Sequence, residues 1–260
     1  VFVLQLGWGV DGVAIATFIA EWSGLALGLW FCRGAFASPA WRDWARVLDS
    51  ARLRHFAQVN TDILIRSLLL QCIFVSFLLL GAGFGDVPLA ANQILYQFMA
   101  ITAFALDGFA FAAETLVGQA MGARRRAALR RAALLCSVWA FVSGALLAGA
   151  FATFGGTIID VMTTAEPVRD MARIYLPYMV LAPVLGAAPF MLDGVFIGAT
   201  RTREMRNMMA LSVAIYALAA AMLIPTFGNH GLWMAMLTSF VARAVTLGLR
   251  YRALEAAAQA

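Results

Sequence analysis

Apolar residues in this chain neither alternate nor keep to one helical face; they fill long runs separated by short knots of Gly, Asn, Pro and Arg. A run that is apolar on all sides for roughly 20 residues is the pattern of a helix crossing a bilayer. Seven spans are predicted, at 12–33, 58–81, 88–120, 129–154, 168–199, 206–226 and 230–250. Ahead of them, Val1 to Gly7 is apolar but too short to span anything. With no initial Met and no basic start it is not a signal peptide. It reads as the stump of a helix that begins upstream, so the sequence is expected to be a fragment of a longer protein.

Composition agrees with the pattern. Of 260 residues, 63% are apolar and 13% charged, against about 45–50% and about 25% in soluble domains. A water-soluble globule is excluded, and the expected fold class is all-α, a polytopic transmembrane helical bundle. Every basic residue is an arginine, and the net charge is +5. The arginines fall on alternate connections. Arg33, Arg42, Arg46, Arg52 and Arg54 follow the first span, and Arg124, Arg125, Arg126, Arg130 and Arg131 the third. Arg201, Arg203 and Arg206 follow the fifth, and Arg250 and Arg252 the last. The intervening Gly81–Asp86 and Thr226–Gly231 have none. Such alternation predicts that the arginine-rich ends and the C-terminus are cytoplasmic, so the basic excess reads as orientation rather than as a nucleic-acid surface. Arg169 and Arg173 break the rule, and Glu166 and Asp170 stand beside them as partners. The long connection 34–55 places Trp41, Trp44, Leu48 and Ala51 at helical spacing, which suits a helix lying in the interface; an irregular polar loop is the alternative.

Charged groups inside spans are where chemistry is expected, because each costs at least about 2.5–3.5 kcal/mol to insert. Asp107 and Asp193 are the clearest, each in a Leu-Asp-Gly triplet on an inward-running span. Desolvation disfavours the charged carboxylate, so these are candidates for proton or cation coupling; alternatively, each Asp-Gly closes a break in its helix. Glu114, two turns beyond Asp107 on the same face, is the third coupling candidate, or else an interfacial acid paired with Arg124 to Arg126. Asp62 and Arg66, at i and i+4, form a local salt bridge or a gate. Gln71, Asn92, Gln93 and Gln97 line a cavity or join helices. Pro177, Pro183 and Pro189 in one span suggest a broken helix, and Gly24 with Gly28 and Gly118 with Gly122 suggest close packing. Cys32, Cys72 and Cys136 are scattered through apolar stretches and build neither a disulfide frame nor a metal site. No nucleophile elbow, zinc-protease helix or phosphate loop is present, and the aspartates lack the Gly-x-Gly-Asp signature of intramembrane proteases. The chain is not expected to be an enzyme, nor to hold a cofactor or metal.

Five stretches carry a family resemblance: Gly9-Val-Asp-Gly-Val-Ala-Ile-Ala-Thr17, Asn60-Thr-Asp-Ile-Leu-Ile-Arg66, Leu89-Ala-Ala-Asn-Gln-Ile-Leu95, Leu106-Asp-Gly-Phe-Ala110, and Leu192-Asp-Gly-Val-Phe-Ile-Gly-Ala-Thr200 with Glu204-Met-Arg-Asn207. Together they resemble the multidrug and toxic compound extrusion family, and look most like its DNA-damage-inducible protein F subgroup. The resemblance implies twelve helices in two lobes of six around a central cavity, exporting organic cations, drugs or other amphiphiles in antiport with H⁺ or Na⁺. Organic-anion export, lipid flipping or a non-functional fragment are the alternatives. On that template 1–33 ends the N-lobe, 34–55 is the interlobe linker, 56–252 is the C-lobe and 253–260 a cytoplasmic tail. The implied partners are a small-molecule substrate, the lipid bilayer and the missing N-lobe of the same chain, with no nucleic acid. The full-length protein is expected as a monomer in a bacterial inner membrane. The aspartate on the first N-lobe helix that many members use for protons lies outside this chain. Leu70 and Gln71 stand where some members carry an acid, which disfavours a C-lobe sodium site.

Overall fold

A computed structural model describes residues 7–37 and 43–258. The stump at Val1–Leu6 and the linker's Trp41 and Arg42 lie outside the described residues. Long apolar runs can satisfy backbone groups in lipid only as helices, and every regular element described is helical. The order is α1 (Gly9–Phe36), α2 (Trp44–Val47), α3 (Ser50–Ala82), α4 (Asp86–Gly122), α5 (Arg126–Met162), α6 (Glu166–Gly198), α7 (Thr202–Phe227) and α8 (Asn229–Ala257). All but α2 are long and apolar enough to cross a membrane, matching the seven predicted spans. Apart from the end of α6, which stops at Gly198 within its predicted span, the helices overrun the predicted spans, because hydropathy marks the lipid-facing length and not the polar turns that continue it. Even the stretch expected as a tail continues α8 to Ala257, with Leu254 buried against the lobe.

The chain divides into two compact units, Val1–Ala57 and Gln58–Ala260. In the first, α1 is apolar on every face, and the Arg33 guanidinium lies 4.7 Å from the centre of the Trp30 ring. The connection after α1 does not form a single interfacial helix. Only Trp44–Val47 is helical before the chain turns, because the Asp49 carboxylate accepts hydrogen bonds from the amides of Ala51 and Arg52 at 3.0 Å. Those are amides left open at a helix start, so Asp49 begins a new helix, α3, instead of continuing the old one.

In the second unit α6 is the central element, packed against α4, α5 and α8, while α7 packs on α8. Its prolines do not break it: Pro177, Pro183 and Pro189 all lie within one continuous helix. The approach of α6 to its neighbours is set by glycines. A Cβ on Gly194 would sit 2.3 Å from the Ala110 carbonyl oxygen, and one on Gly198 would sit 2.3 Å from that of Glu114. Gly194 and Gly198 are thus the small-xxx-small pair that seats α6 on α4. Of the pairs predicted from sequence, Gly24, Gly28 and Gly122 have open space around them, and Gly118 alone meets a neighbour, at 3.3 Å from the Gly198 oxygen.

The connections after α4 and α6 are built alike. In each, a residue with positive φ, Arg124 (53°) or Thr200 (55°), follows the helix. The next amide then reaches back to a helix carbonyl, from Arg125 to Ala120 and from Arg201 to Phe196, both at 2.9 Å. This is the left-handed helix stop usually made by glycine. It places the arginines of both turns on the same side of the unit as the Leu-Asp-Gly halves of α4 and α6.

Candidate functional site: a buried ion cluster

Asp193 lies on α6, 6% exposed. Arg66 of α3 and Arg243 of α8 both donate through Nη2 to its Oδ2 oxygen. Arg243 is 1% exposed, and its guanidinium carbon is 5.6 Å from the Phe190 ring centre, a cation–π contact with the same helix that carries the aspartate. Arg66 is at the rim, its side chain 15% exposed. The two guanidiniums are not fully used: Nε of Arg66 and both Nε and Nη1 of Arg243 are buried with no acceptor. Half-buried Asp107 of α4 lies within the fields of Arg66, Asp193 and Arg243. Two cations therefore converge on one buried carboxylate, where an unpaired charge would be most costly, and their fields reach Asp107.

α4 runs beside this site because α6 is pressed onto it at Gly194, next to Asp193, and at Gly198 one turn later. The Asp-Gly pairs do not close helix breaks, since α4 and α6 run uninterrupted through them. The two triplets also differ: Gly194 makes a backbone contact, while Gly108 has nothing within 4 Å of where a Cβ would be.

The remaining candidates separate from this cluster. Asp62 does not pair with Arg66 four residues on. It accepts from Arg206 Nη1 and, at 3.3 Å, from Thr202 Oγ1, joining α3 to the start of α7. With Asp62 occupied by Arg206 and Thr202, Arg66 turns to the buried carboxylate of Asp193. Glu114 is half-buried and forms no ion pair with Arg124, Arg125 or Arg126 among the described residues; Arg126 instead reaches Glu255 at 3.4 Å. The four amides divide. Asn92 is buried and exchanges two hydrogen bonds with Asn229, of 2.8 and 3.0 Å, while its oxygen also accepts from Trp233 Nε1 at 2.9 Å. Gln71, Gln93 and Gln97 are exposed on α3 and α4. At the opposite ends of the helices, Arg173 is held chiefly by Asp160 of α5, at 2.7 and 2.8 Å, with Asp170 more distant at 3.7 Å. Arg169 donates to the carbonyls of Asp160 and Thr163 at 2.8 and 2.7 Å. Neither pairs mainly with its sequence neighbours: the last carbonyls of α5, which lack helical partners, attract Arg169, and the Asp160 carboxylate holds Arg173.

Arg243 falls within the predicted 230–250 span, and nothing in the sequence analysis gave it a role. The available signal was the insertion cost itself: an arginine between Phe240 and Leu247 requires a buried acid. An apolar groove of about 500 Å³ between α3 and α7, lined by Cys72, Ile73, Ser76, Tyr216, Ile224 and Pro225, was also not foreseen. At its wall, Ser76 donates to the Tyr216 hydroxyl at 3.1 Å. Among the described residues no three His, Cys, Asp or Glu side chains gather as a metal site.

Residues 63–223, more than half of the chain, match the family model MatE. The DNA damage-inducible protein F of Escherichia coli K12 is 37% identical over 96% of this chain and 54% of its own length. Protein DETOXIFICATION 42 of Arabidopsis thaliana is 25% identical over 91% of the chain and 45% of its own length. The chain thus spans about half the length of these curated relatives. Among solved structures, the Vibrio cholerae MATE transporter VcmN in its bent form superposes with a TM-score of 0.82 at 18% identity. That superposition covers 99% of this chain and 58% of VcmN.

Proposed function

From a chain that belongs to the MatE, or multidrug and toxic compound extrusion, family, we infer that it supplies the C-lobe and the last N-lobe helix of a secondary transporter. The transporter exports organic cations, drugs or other amphiphiles in antiport with H⁺ or Na⁺. The observation that carries this reading is the buried ion cluster of Arg66, Asp193 and Arg243, whose fields reach Asp107, inside the helical bundle. Buried charges of this number are expensive to a purely structural lobe, and they supply an ionisable centre whose protonation or cation occupancy biases one arrangement of helices over another. The coupling candidates are Asp107, Asp193 and Glu114, with Arg66 and Asp62 as gating residues.

The reading is tested by transport in proteoliposomes under separate H⁺ and Na⁺ gradients, with the protein its complete gene encodes. At least one of Asp107→Asn and Asp193→Asn is expected to impair exchange while leaving insertion intact. Normal transport by both variants refutes a coupling role for the cluster. A second reading, export of organic anions, is favoured by one feature only: the buried guanidinium N–H groups of Arg66 and Arg243 that lack acceptors. In that case an anionic solute competes with the organic cation in the same assay.

A further inference from the structure

We propose that a groove between α5 and α8, at the end predicted to be cytoplasmic, holds one anionic phospholipid, with an acyl chain in the groove and the phosphate on Arg130 at its mouth. The proposal needs the chain to sit in a bilayer and does not depend on the transport reading.

The groove, of about 390 Å³, is lined by Arg130, Ala133 and Ser137 of α5, by Gly248 and Tyr251 of α8, and by Leu192 of α6. Arg130, Ala133 and Ser137 recur at helical spacing, so that wall is one face of α5. The space is there because the facing side chains are small. Gly248 contributes none, and a Cβ added to it would meet nothing within 4 Å. Along α5 the wall runs from the arginine to Ser137, two turns or about 10 Å deeper into the apolar run. One end carries a cation and the rest is nearly uncharged, which is the complement of an anionic lipid.

The apolar part of the groove does not by itself select a lipid, because bilayer tails are as apolar as its walls. Selection is made at the mouth. There Arg130 forms no ion pair or hydrogen bond, and the Tyr251 hydroxyl makes no hydrogen bond, among the described residues. Arg131, the next residue, lines a second hollow of about 560 Å³ with Arg124, Arg125 and Arg126 at the start of α5. The ion pair described for this group of arginines is the one from Arg126 to Glu255, at 3.4 Å, so a large positive excess remains. The helix adds to it. α5 begins with no acid in its first turn and no side-chain cap, so its positive end stands among the arginines with nothing to offset either.

A phosphate meets these demands together. A guanidinium binds it through two parallel hydrogen bonds, and basic pockets between helices on the cytoplasmic side bind anionic lipid headgroups. A zwitterionic lipid carries its own cation into the arginine field and is disfavoured. A soluble anion satisfies Arg130 but makes no use of the groove that opens from it. Arg130 belongs to the groove and adjoins the arginine hollow, and the ligand that fits both is a lipid with a net negative headgroup.

The test uses the protein its complete gene encodes, purified in detergent, and native mass spectrometry with phosphatidylglycerol and phosphatidylcholine of the same acyl chains. Retention of one phosphatidylglycerol in preference to phosphatidylcholine is expected. An arginine near the surface contributes a factor of about five to anionic-lipid binding, so Arg130→Gln should cut the preference about fivefold. Arg203→Gln, which removes an exposed arginine at the start of α7, should leave it unchanged. Gly248→Leu fills the groove from a position with open space around it and should abolish retention with every arginine in place. Ser137→Leu fills it from the opposite wall and serves should Gly248→Leu fail to fold. Equal retention of the two lipids, an equal loss in Arg203→Gln, or full retention in the groove-filled variants overturns the proposal. Displacement of the lipid by inorganic phosphate at equal concentration also overturns it, because the arginines then serve a soluble anion. So does a parent that retains no lipid, the result expected if another part of the full-length protein covers the groove.

Discussion

The two Leu-Asp-Gly triplets are identical in sequence, yet adding one methyl group to each glycine should have opposite effects. In Gly194→Ala the new Cβ would lie 2.3 Å from the Ala110 oxygen, 3.0 Å from its carbonyl carbon and 3.1 Å from its Cα. That is about 1 Å inside normal contact distance, and all three atoms belong to backbone, so no side chain can rotate away. α4 and α6 must part. Overpacking of this kind costs about 1–3 kcal/mol, and two helix backbones in direct contact put it at the upper end. In Gly108→Ala nothing lies within 4 Å of the new methyl, and replacing glycine inside a helix gains about 0.5–1 kcal/mol. The two variants should therefore differ by about 3–4 kcal/mol, between two and three powers of ten in the folded-to-unfolded ratio. Equilibrium unfolding in mixed micelles by SDS titration, followed by circular dichroism, measures the difference directly. If Gly194→Ala proves as stable as Gly108→Ala, the close seating of α6 on α4 is wrong, and with it the account of how the cluster is assembled.

Arg243→Met leaves Asp193 with Arg66 alone and should cost about 3 kcal/mol, the low end for breaking a buried ion pair; the same micelle titration should show part of that loss recovered when Asp193→Leu is added. Asn92→Ala strips partners from Asn229 and from the Trp233 indole. It should cost about 1–3 kcal/mol for the buried donors left unpaired, with a change in tryptophan emission that the Gln93→Ala control does not show. Asp49→Ala should fray the start of α3, costing about 1 kcal/mol as for other N-cap losses, visible as faster hydrogen exchange at Ala51 and Arg52 while the helices beyond are unchanged.

The reach of the sequence follows from which interactions depend on one residue and which on two. Whether Leu95 or Phe98 prefers lipid or water is a property of the residue and its window, and so the seven spans were legible, as was the alternation of arginines along the chain. Which partner a charge selects is a property of pairs distant in sequence. Arg66 had an acid four residues away and bonds to one 127 residues on. Arg173 had Asp170 beside it and is held by Asp160. Asp170 is exposed, where a pair gains little, while Asp62 is taken by Arg206 and Thr202 from another helix, and in each case the acid beside the arginine in sequence loses it to one further away. The glycines divide in the same way: the Gly24 and Gly28 spacing was readable, but only a neighbouring backbone decides whether a small residue matters, and there Gly194 and Gly198 prevailed.

Proximity in sequence misled most where desolvation is strongest, and the ion cluster shows why. Asp107 and Asp193 looked like isolated acids because every arginine cluster was two or more turns away along the chain. Yet an isolated charge at that depth is what a bilayer excludes, so the depth of each aspartate by itself implies a partner. The arginines inside spans, Arg66 and Arg243, carry the same implication with opposite sign. Two unpaired acids and two unpaired bases in one apolar bundle have few low-energy solutions, and a neutral cluster of four is the simplest. Charge balance within the spans, counted separately from the orienting arginines of the turns, predicts such a cluster without indicating its pairing. The pairing follows from helix order: Asp193 lies on central α6, where the enclosed Arg243 of α8 reaches it from within the core and Arg66 of α3 joins it from the rim.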